Sequence, residues 1–375
     1  MKRTSMPRVL ALGAMSLTVA LGLSACGASN ESSSSDSSGN GGSSSSGSSM
    51  SGDLNGAGSS AQEAAMAAWK AGFQTANPDV TVNYDAVGSS GGREQFIAGG
   101  VEFAGSDSYF TTDELKAAAK TCGGPAIEVP VYVSPIAIVY NVSGVDKLQL
   151  TPQTLTKIFT GKITKWNDPA IAAENPGAKL PSTTISPVHR SDGSGTTANF
   201  TEYLDAVDKA DYTAGPTDTW PIKSGEGADG TSGVIAAVSS GNGTIGYADA
   251  SQAGQLGKAS IKVGDAYVQP STAAASKILD ESKPVPGRNS TNDLAIAVNR
   301  TSTSAGVYPI ILVSYQMTCS TYDSQSTANL VKAFEQYVVS PAGQEAAAKQ
   351  AGSAPITEAL RSKALKAINM IGTNK

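Results

Sequence analysis

One histidine, His189, and three cysteines, Cys26, Cys122 and Cys319, are scattered through the 375 residues. They offer no ligand cluster, so catalysis at a bound transition metal is excluded. Base-rich patterning is also missing. Against 32 acids stand 27 lysines and arginines, for a net charge of −5, and three of the cations (Lys2, Arg3, Arg8) lie in the first ten residues. Without residues 1–25, which contain no acid, the charge falls from −5 to −8, which excludes nucleic acid as a partner. Long apolar runs are absent too. The run Val9 to Leu23 is short for a bilayer and is interrupted by Gly13 and Gly22. No glycine-rich loop is followed by Gly-Lys-Ser/Thr, and none forms a full G-x-G-x-x-G fingerprint in context, so nucleotide binding is excluded as well. No internal repeat is present.

What is present begins with a basic start, an apolar stretch and small residues before Cys26, the pattern of a secretory signal over residues 1–25. Leu23-Ser24-Ala25-Cys26 matches a lipobox, which predicts lipidation of Cys26 and a membrane anchor. Residues 26–52 are almost all Ser and Gly, have nothing to bury, and should form a flexible tether with a reach of about 25–30 Å. The rest is long enough for two lobes with cores of their own.

The most informative stretch is His189-Arg190-Ser191-Asp192-Gly193-Ser194-Gly195-Thr196-Thr197. A strand precedes it, and Phe200, Tyr203, Leu204 and Val207 follow at helical spacing. It joins one cation to hydroxyls, glycines and the unpartnered N–H groups of a helix start, which is the chemistry of an anion site. Read more plainly, Ser194 or Thr196 caps the helix, and Arg190 and Asp192 form a surface pair. Two further Gly/Ser loops, Gly56-Ala57-Gly58-Ser59-Ser60 and Gly88-Ser89-Ser90-Gly91-Gly92, also lead into helices. Asp107 ends an apolar strand, where α/β folds deliver site residues.

An enzymatic alternative exists. Gly88-x-Ser90-x-Gly92 matches a nucleophile elbow, with Ser90 as nucleophile and His189 as base of a secreted hydrolase. In that order of residues the histidine belongs near the chain end, yet 186 residues follow His189.

Together with Phe103-Ala104-Gly105-Ser106-Asp107, Thr160-Gly161-Lys162-Ile163-Thr164-Lys165-Trp166-Asn167-Asp168-Pro169, the Asn175-Pro176-Gly177 segment and Gly243-Thr244-Ile245-Gly246-Tyr247, these loops occur in order across the folded part. The chain thereby resembles the phosphate-binding lipoproteins of high-affinity phosphate ABC importers of the Pst type. The resemblance implies an α/β, two-lobed periplasmic-binding-protein fold (type II, Venus-flytrap) with inorganic phosphate in the interlobe cleft. Its hydroxyl and backbone donors would be Ser60, Ala61 through its N–H, Ser89, Ser194, Gly195 through its N–H, and Thr196. Arg190 would be the cation, Asp192 would orient it, and Asp107 would accept a proton from the ligand. Ser59 competes with Ser60 for the first hydroxyl role. The aromatic residue usual after that hydroxyl is Ala61 here, which alters one wall. Transmembrane permease subunits are the implied partners; a monomer without cofactor, metal or enzymatic activity is expected. Another tetrahedral oxyanion, sulfate or molybdate, is the alternative ligand.

Lobe 1 is expected over residues 53–132 and 305–375, and lobe 2 over 133–304. β-rich runs flank Pro130 and Pro135, near the first crossing. Trp166 is assigned to the core, Gly225 to Gly233 to a surface loop, and Ala354-Pro355-Ile356 to a turn. Cys122 and Cys319, both in lobe 1 segments of an exported chain, form either one disulfide or two buried thiols.

Overall fold

The structure, a computed structural model, describes residues 50–289 and 291–373. The signal, Cys26 and nearly all of the expected tether lie outside the described residues.

The chain opens with β1 (Gly52–Gly58), α1 (Glu63–Ala76), β2 (Val80–Asp85), α2 (Ser89–Ile97), β3 (Phe103–Ser106) and α3 (Thr112–Thr121). β1 pairs in parallel with both β2 and β3. On α1, Ala65, Met66, Trp69 and Phe73 share the buried face, and the Trp69 indole donates to the Gly343 carbonyl at 2.9 Å. Thr111 and Glu114 cap α3 reciprocally, which satisfies two of the orphan donors at its start.

β4 (Ala126–Asn141) runs unbroken through both prolines and is buried over all but its last residue. Proline lacks the N–H that a ladder needs. The antiparallel neighbour shifts register here: Ser314 faces Tyr132 while Tyr315 faces Pro130, so Val131 bulges out of the ladder.

After β4 come β5 (Ser186–Arg190), α4 (Gly195–Val207), β6 (Glu226–Ala228), α5 (Gly230–Ser240) and β7 (Thr244–Asp249). β8 (Ile311–Cys319), α6 (Gln325–Val338), α7 (Pro341–Ala351) and β9 (Ala354–Pro355) follow. Among the described residues a ten-stranded sheet runs in the order β2-β1-β3-β8-β4-β7-β5-β6, with β9 and Gly257–Lys258 also bound to β4. β4 belongs to both halves of this sheet. Up to Pro135 it pairs with β8, and from Ile136 it pairs with β7. The residues expected to form a turn at Ala354 instead add β9 to Tyr132 and Val133.

Each half has its own helices, and Trp166 is fully buried in the core. At Asn292 and Leu294 the chain meets the first half of β4: the Glu128 N–H donates to Asn292 O at 2.7 Å, and the Leu294 N–H to Glu128 O at 2.9 Å. The Cys122 and Cys319 sulfurs are bonded, joining the end of α3 to the end of β8.

Candidate functional site

β1, β2, β3, β5 and β6 are linked by parallel pairings within their own halves. Their carboxyl ends carry the residues singled out from the sequence, the place where open α/β sheets present ligand sites. The loop after β1 supplies Ser59, Ser60 and Ala61, that after β2 Ser89 and Ser90, and the end of β3 Asp107. From the other half come Arg190 to Thr196. Ser59, Ser60, Ser89, Ser194 and Thr196 are buried, as are Asp107 and Arg190; Ser90 is half-buried and Ser191 exposed.

The two halves meet at this point. A Cβ built on Gly195 would lie 2.5 Å from Ser89 Oγ and 2.8 Å from the Asp107 Cβ, so the start of α4 approaches β2–α2 and β3 as only glycine permits. Gly88 has φ +86°, and a Cβ there would strike Asp192 and the Gly193 carbonyl. A side chain at Gly88 would be both strained and obstructed.

Arg190 is clasped by Asp192: its Nε donates to Oδ1 at 2.6 Å, and its Nη2 donates to Oδ2. Burial works against ionisation of Asp192, but the hydrogen bonds and charge of Arg190 prevail and hold its carboxyl below the usual range. Asp192 Oδ1 also accepts the Gly230 N–H at 3.2 Å. Asp107 behaves in the opposite way. Burial pushes its carboxyl up, against the pull of hydrogen bonds from Ser59 and Ser314 and the charges of Arg190 and Arg93.

The hydroxyls have definite partners. Ser59 donates to Asp107 Oδ2 and accepts the N–H groups of Ala61 at 3.1 Å and Gln62 at 3.2 Å. Ser60 Oγ meets Thr231 Oγ1 at 3.1 Å and accepts the Thr231 N–H at 3.0 Å. Ser89 Oγ accepts the Asp107 N–H at 3.1 Å, and Ser194 Oγ caps α4 by accepting the Thr197 N–H at 3.1 Å. In these last two roles the hydroxyl proton stays available for an acceptor. Thr196 Oγ1 is buried with no partner among the described residues.

Ser90 and His189 are not bonded to each other. The Ser90 hydroxyl donates to Asp218 Oδ2 at 2.5 Å. His189 meets the Arg190 carbonyl through Nδ1 at 2.9 Å and stacks on Trp220. The nucleophile–base pair of a hydrolase is not assembled.

Several participants escape a sequence reading. Thr231 lies in the segment expected to be a surface loop; instead β6 pairs with β5 and the start of α5 presses on Ser60, because Gly230 turns the chain inward with φ +64°. Ser314 reaches Asp107 from β8. Arg93 is a second buried cation; it donates to Glu114 at 2.9 Å, to Ser106 at 3.1 Å and to Ser108 at 2.9 Å. A cation close behind a helix start is disfavoured by the helix dipole, which in the sequence points to acidic partners, here the half-buried Glu114 and Asp218.

Residues 38–342 match the model of the PBP superfamily domain. Phosphate-binding protein PstS2 of Mycobacterium bovis is 38% identical over 359 residues, covering 94% of this chain and 95% of that protein. Phosphate-binding protein PstS 3 of Mycobacterium leprae is 36% identical over 356 residues, covering 93% and 95%. This chain belongs to the PstS family of phosphate-binding proteins. The PstS fold is matched by the structure of a high affinity periplasmic phosphate-binding protein (PfluDING) bound with phosphate. Its TM-score is 0.69 at 24% identity, over 83% of this chain and 92% of that one. The fold class of the PstS chain is therefore the two-lobed α/β binding protein, its lobes joined through β4.

Proposed function

We propose that this chain is the extracytoplasmic substrate-binding component of a phosphate ABC importer, which holds a dehydrated inorganic phosphate between its lobes and passes it to a transmembrane permease. The observation that carries this reading is the Thr196 hydroxyl, buried and unpaired at the start of α4, on the loop that also bears the buried Arg190. Buried polar atoms are rarely left unpaired, and an orphan in such a place asks for a ligand.

Four oxygens of a tetrahedral anion need many donors. Ser60, Ser89, Ser194 and Thr196 supply hydroxyls, and Gly195 supplies its N–H at the positive end of a helix. Arg190 neutralises charge, and Asp192 fixes the plane of its guanidinium. Asp107 accepts the proton that phosphate carries and sulfate lacks. The Ala61 N–H already bonds Ser59, so it joins the ligand only where Ser59 turns away. No covalent step is involved, and the chain acts as a monomer. The lobes are residues 53–132 with 305–375 and residues 133–304, although Asn292 and Leu294 already bond to β4 in lobe 1; the switch of β4 partners between Pro135 and Ile136 supports the first crossing.

Titration calorimetry of the full chain with phosphate, sulfate and a generic carboxylic ester tests the reading. One site for phosphate, no heat from sulfate and no ester turnover are expected; equal sulfate binding, or turnover lost in Ser90→Ala, would overturn it. The location is tested separately. Cleavage after residue 25 and lipidation of Cys26 would anchor the chain on the outer face of the cell membrane, since multiple acyl chains hold firmly where one does not. Cys26→Ala should then leave the membrane fraction or remain unprocessed.

A further inference from the structure

Polar contacts between the two lobes surround the anion cradle, and two of them converge on Asp218, in the segment between α4 and β6. Its Oδ2 accepts the Ser90 hydroxyl at 2.5 Å and Arg93 Nη2 at 3.2 Å, both from α2. Its backbone carbonyl accepts the N–H of Ser194, the cap of α4, at 2.9 Å. Beside it the Gly193 carbonyl takes the Ser90 N–H at 3.2 Å. One residue of lobe 2 thus grips lobe 1 with its side chain and steadies a proposed ligand loop with its main chain.

Arg93 carries the grip inward. The same guanidinium is tied to Ser106 and Ser108, which bracket Asp107, and to Glu114. None of these contacts uses a ligand atom. Those made by the Asp218 carboxylate require α2 to be apposed to the segment between α4 and β6, so they exist in the closed form and not in an open one. An interaction confined to one of two states shifts the balance towards that state by its own strength.

We infer that Asp218 is the latch of the cleft: a positioning residue that touches no phosphate, holds the lobes shut over it and sets how slowly it escapes. The inference rests on the phosphate-binding reading above. The latch is accessible from outside. The Asp218 side chain is 35% exposed and lies on the wall of a cavity of about 440 Å³ that also reaches Asp107 and Arg300. Salt in that cavity screens the Arg93–Asp218 attraction, so escape quickens as ionic strength rises.

The test is stopped-flow measurement of phosphate capture and release by the full chain, using a phosphate-trapping reporter. Asp218→Asn keeps the size and the backbone acceptor but removes the charge. It should raise the release rate about tenfold, the worth of one charge-assisted hydrogen bond, and leave capture within about twofold. Ser90→Ala removes only a hydroxyl and should raise release by about threefold. Release from the wild type should accelerate with sodium chloride, and release from Asp218→Asn should not. The melting temperature of the phosphate-free variant should match that of the wild type. Unchanged release, or a phosphate-free variant destabilised in step with its faster release, would overturn the latch while leaving phosphate binding intact. A wild type that takes up no phosphate would overturn the functional reading, and the latch with it.

Discussion

Ser314 Oγ lies 2.7 Å from Asp107 Oδ1 although 207 residues separate them, and the Ser59 hydroxyl donates to the other oxygen. Two hydroxyls thus hold one buried carboxylate from opposite directions along the sheet, since β8 lies next to β3. A carboxylate has about four lone-pair positions, so two remain for a protonated oxygen of a ligand. A fully deprotonated anion meets only repulsion there.

The first prediction concerns selectivity. Asp107→Asn should keep the fold, weaken phosphate modestly, and admit sulfate as a competitor, because the amide can turn an N–H towards an unprotonated oxygen. The discrimination lost is on the order of 2–3 kcal/mol, the cost of an unmatched buried polar group. Competition calorimetry reads it directly. A mutant that binds phosphate as before and still ignores millimolar sulfate removes Asp107 from the account of selectivity.

A second prediction separates the cation from the hydroxyls. The Arg190 side chain is 3% exposed and its Asp192 partner 14%. Arg190→Ala therefore removes the charge facing the anion and also leaves the largely buried Asp192 with only the Gly230 N–H and no cation, together on the order of 3–5 kcal/mol. Ser89→Ala removes one hydroxyl, about 1 kcal/mol. Comparable losses of phosphate affinity in the two variants would show that the cation lies elsewhere, with Arg93 the nearest candidate.

How far the sequence reached can be judged from these residues. Loops that join a strand to a helix announce themselves through Gly and Ser, and Ser59, Ser89, Asp107 and Arg190 all lie on or beside such loops. The α/β class was implied by the family resemblance that the same loops carry. Ser314 was hidden because it sits inside an apolar strand, where nothing local distinguishes a serine that faces a carboxylate from one that merely fills space. Thr231 was hidden by composition: a run of glycines reads as a surface loop, and only the positive φ at Gly230 turns it into the site. The continuity of β4 was obscured by Pro130 and Pro135, which normally interrupt a central strand; the bulge at Val131, next to Pro130, absorbs the missing donor.

The third prediction concerns Cys122 and Cys319, joined across 197 residues with Cα atoms 5.2 Å apart. Closing so long a loop is worth up to about 5 kcal/mol in the chain-entropy view, and delivered values are often smaller. A thiol assay of the denatured, unreduced chain should find neither cysteine free. Reduction should lower the melting temperature without altering phosphate affinity, because the bond lies between α3 and the far end of β8. Two titratable thiols per molecule would rule the bond out.

The last prediction follows from Glu335, on α6, fully buried with both carboxyl oxygens unpaired among the described residues. Burial pushes its carboxyl from 4.5 up to about 8, so the folded chain keeps the proton through neutral pH while the unfolded chain gives it up near its ordinary value. The folded state binds the extra proton between these limits, and stability must fall as pH rises through that window. Below pH 4.5 the favourable contribution is fully present; above pH 8 it is gone. At about 1.4 kcal/mol per unit, the loss from this one group is on the order of a few kcal/mol. Glu335→Gln has nothing to titrate and should flatten this part of the profile. Glu335→Leu should also raise the melting temperature, and more at pH 9 than at pH 5, because it replaces an unpaired polar group with an apolar one. Thermal unfolding followed by circular dichroism at pH 5, 7 and 9 supplies the comparison. Other buried acids, Asp249 with its carboxyl at about 6 among them, titrate in both proteins, so the difference between wild type and variant is the quantity to read. If the two lose stability in parallel from pH 5 to pH 9, Glu335 is not carrying a proton in the folded chain.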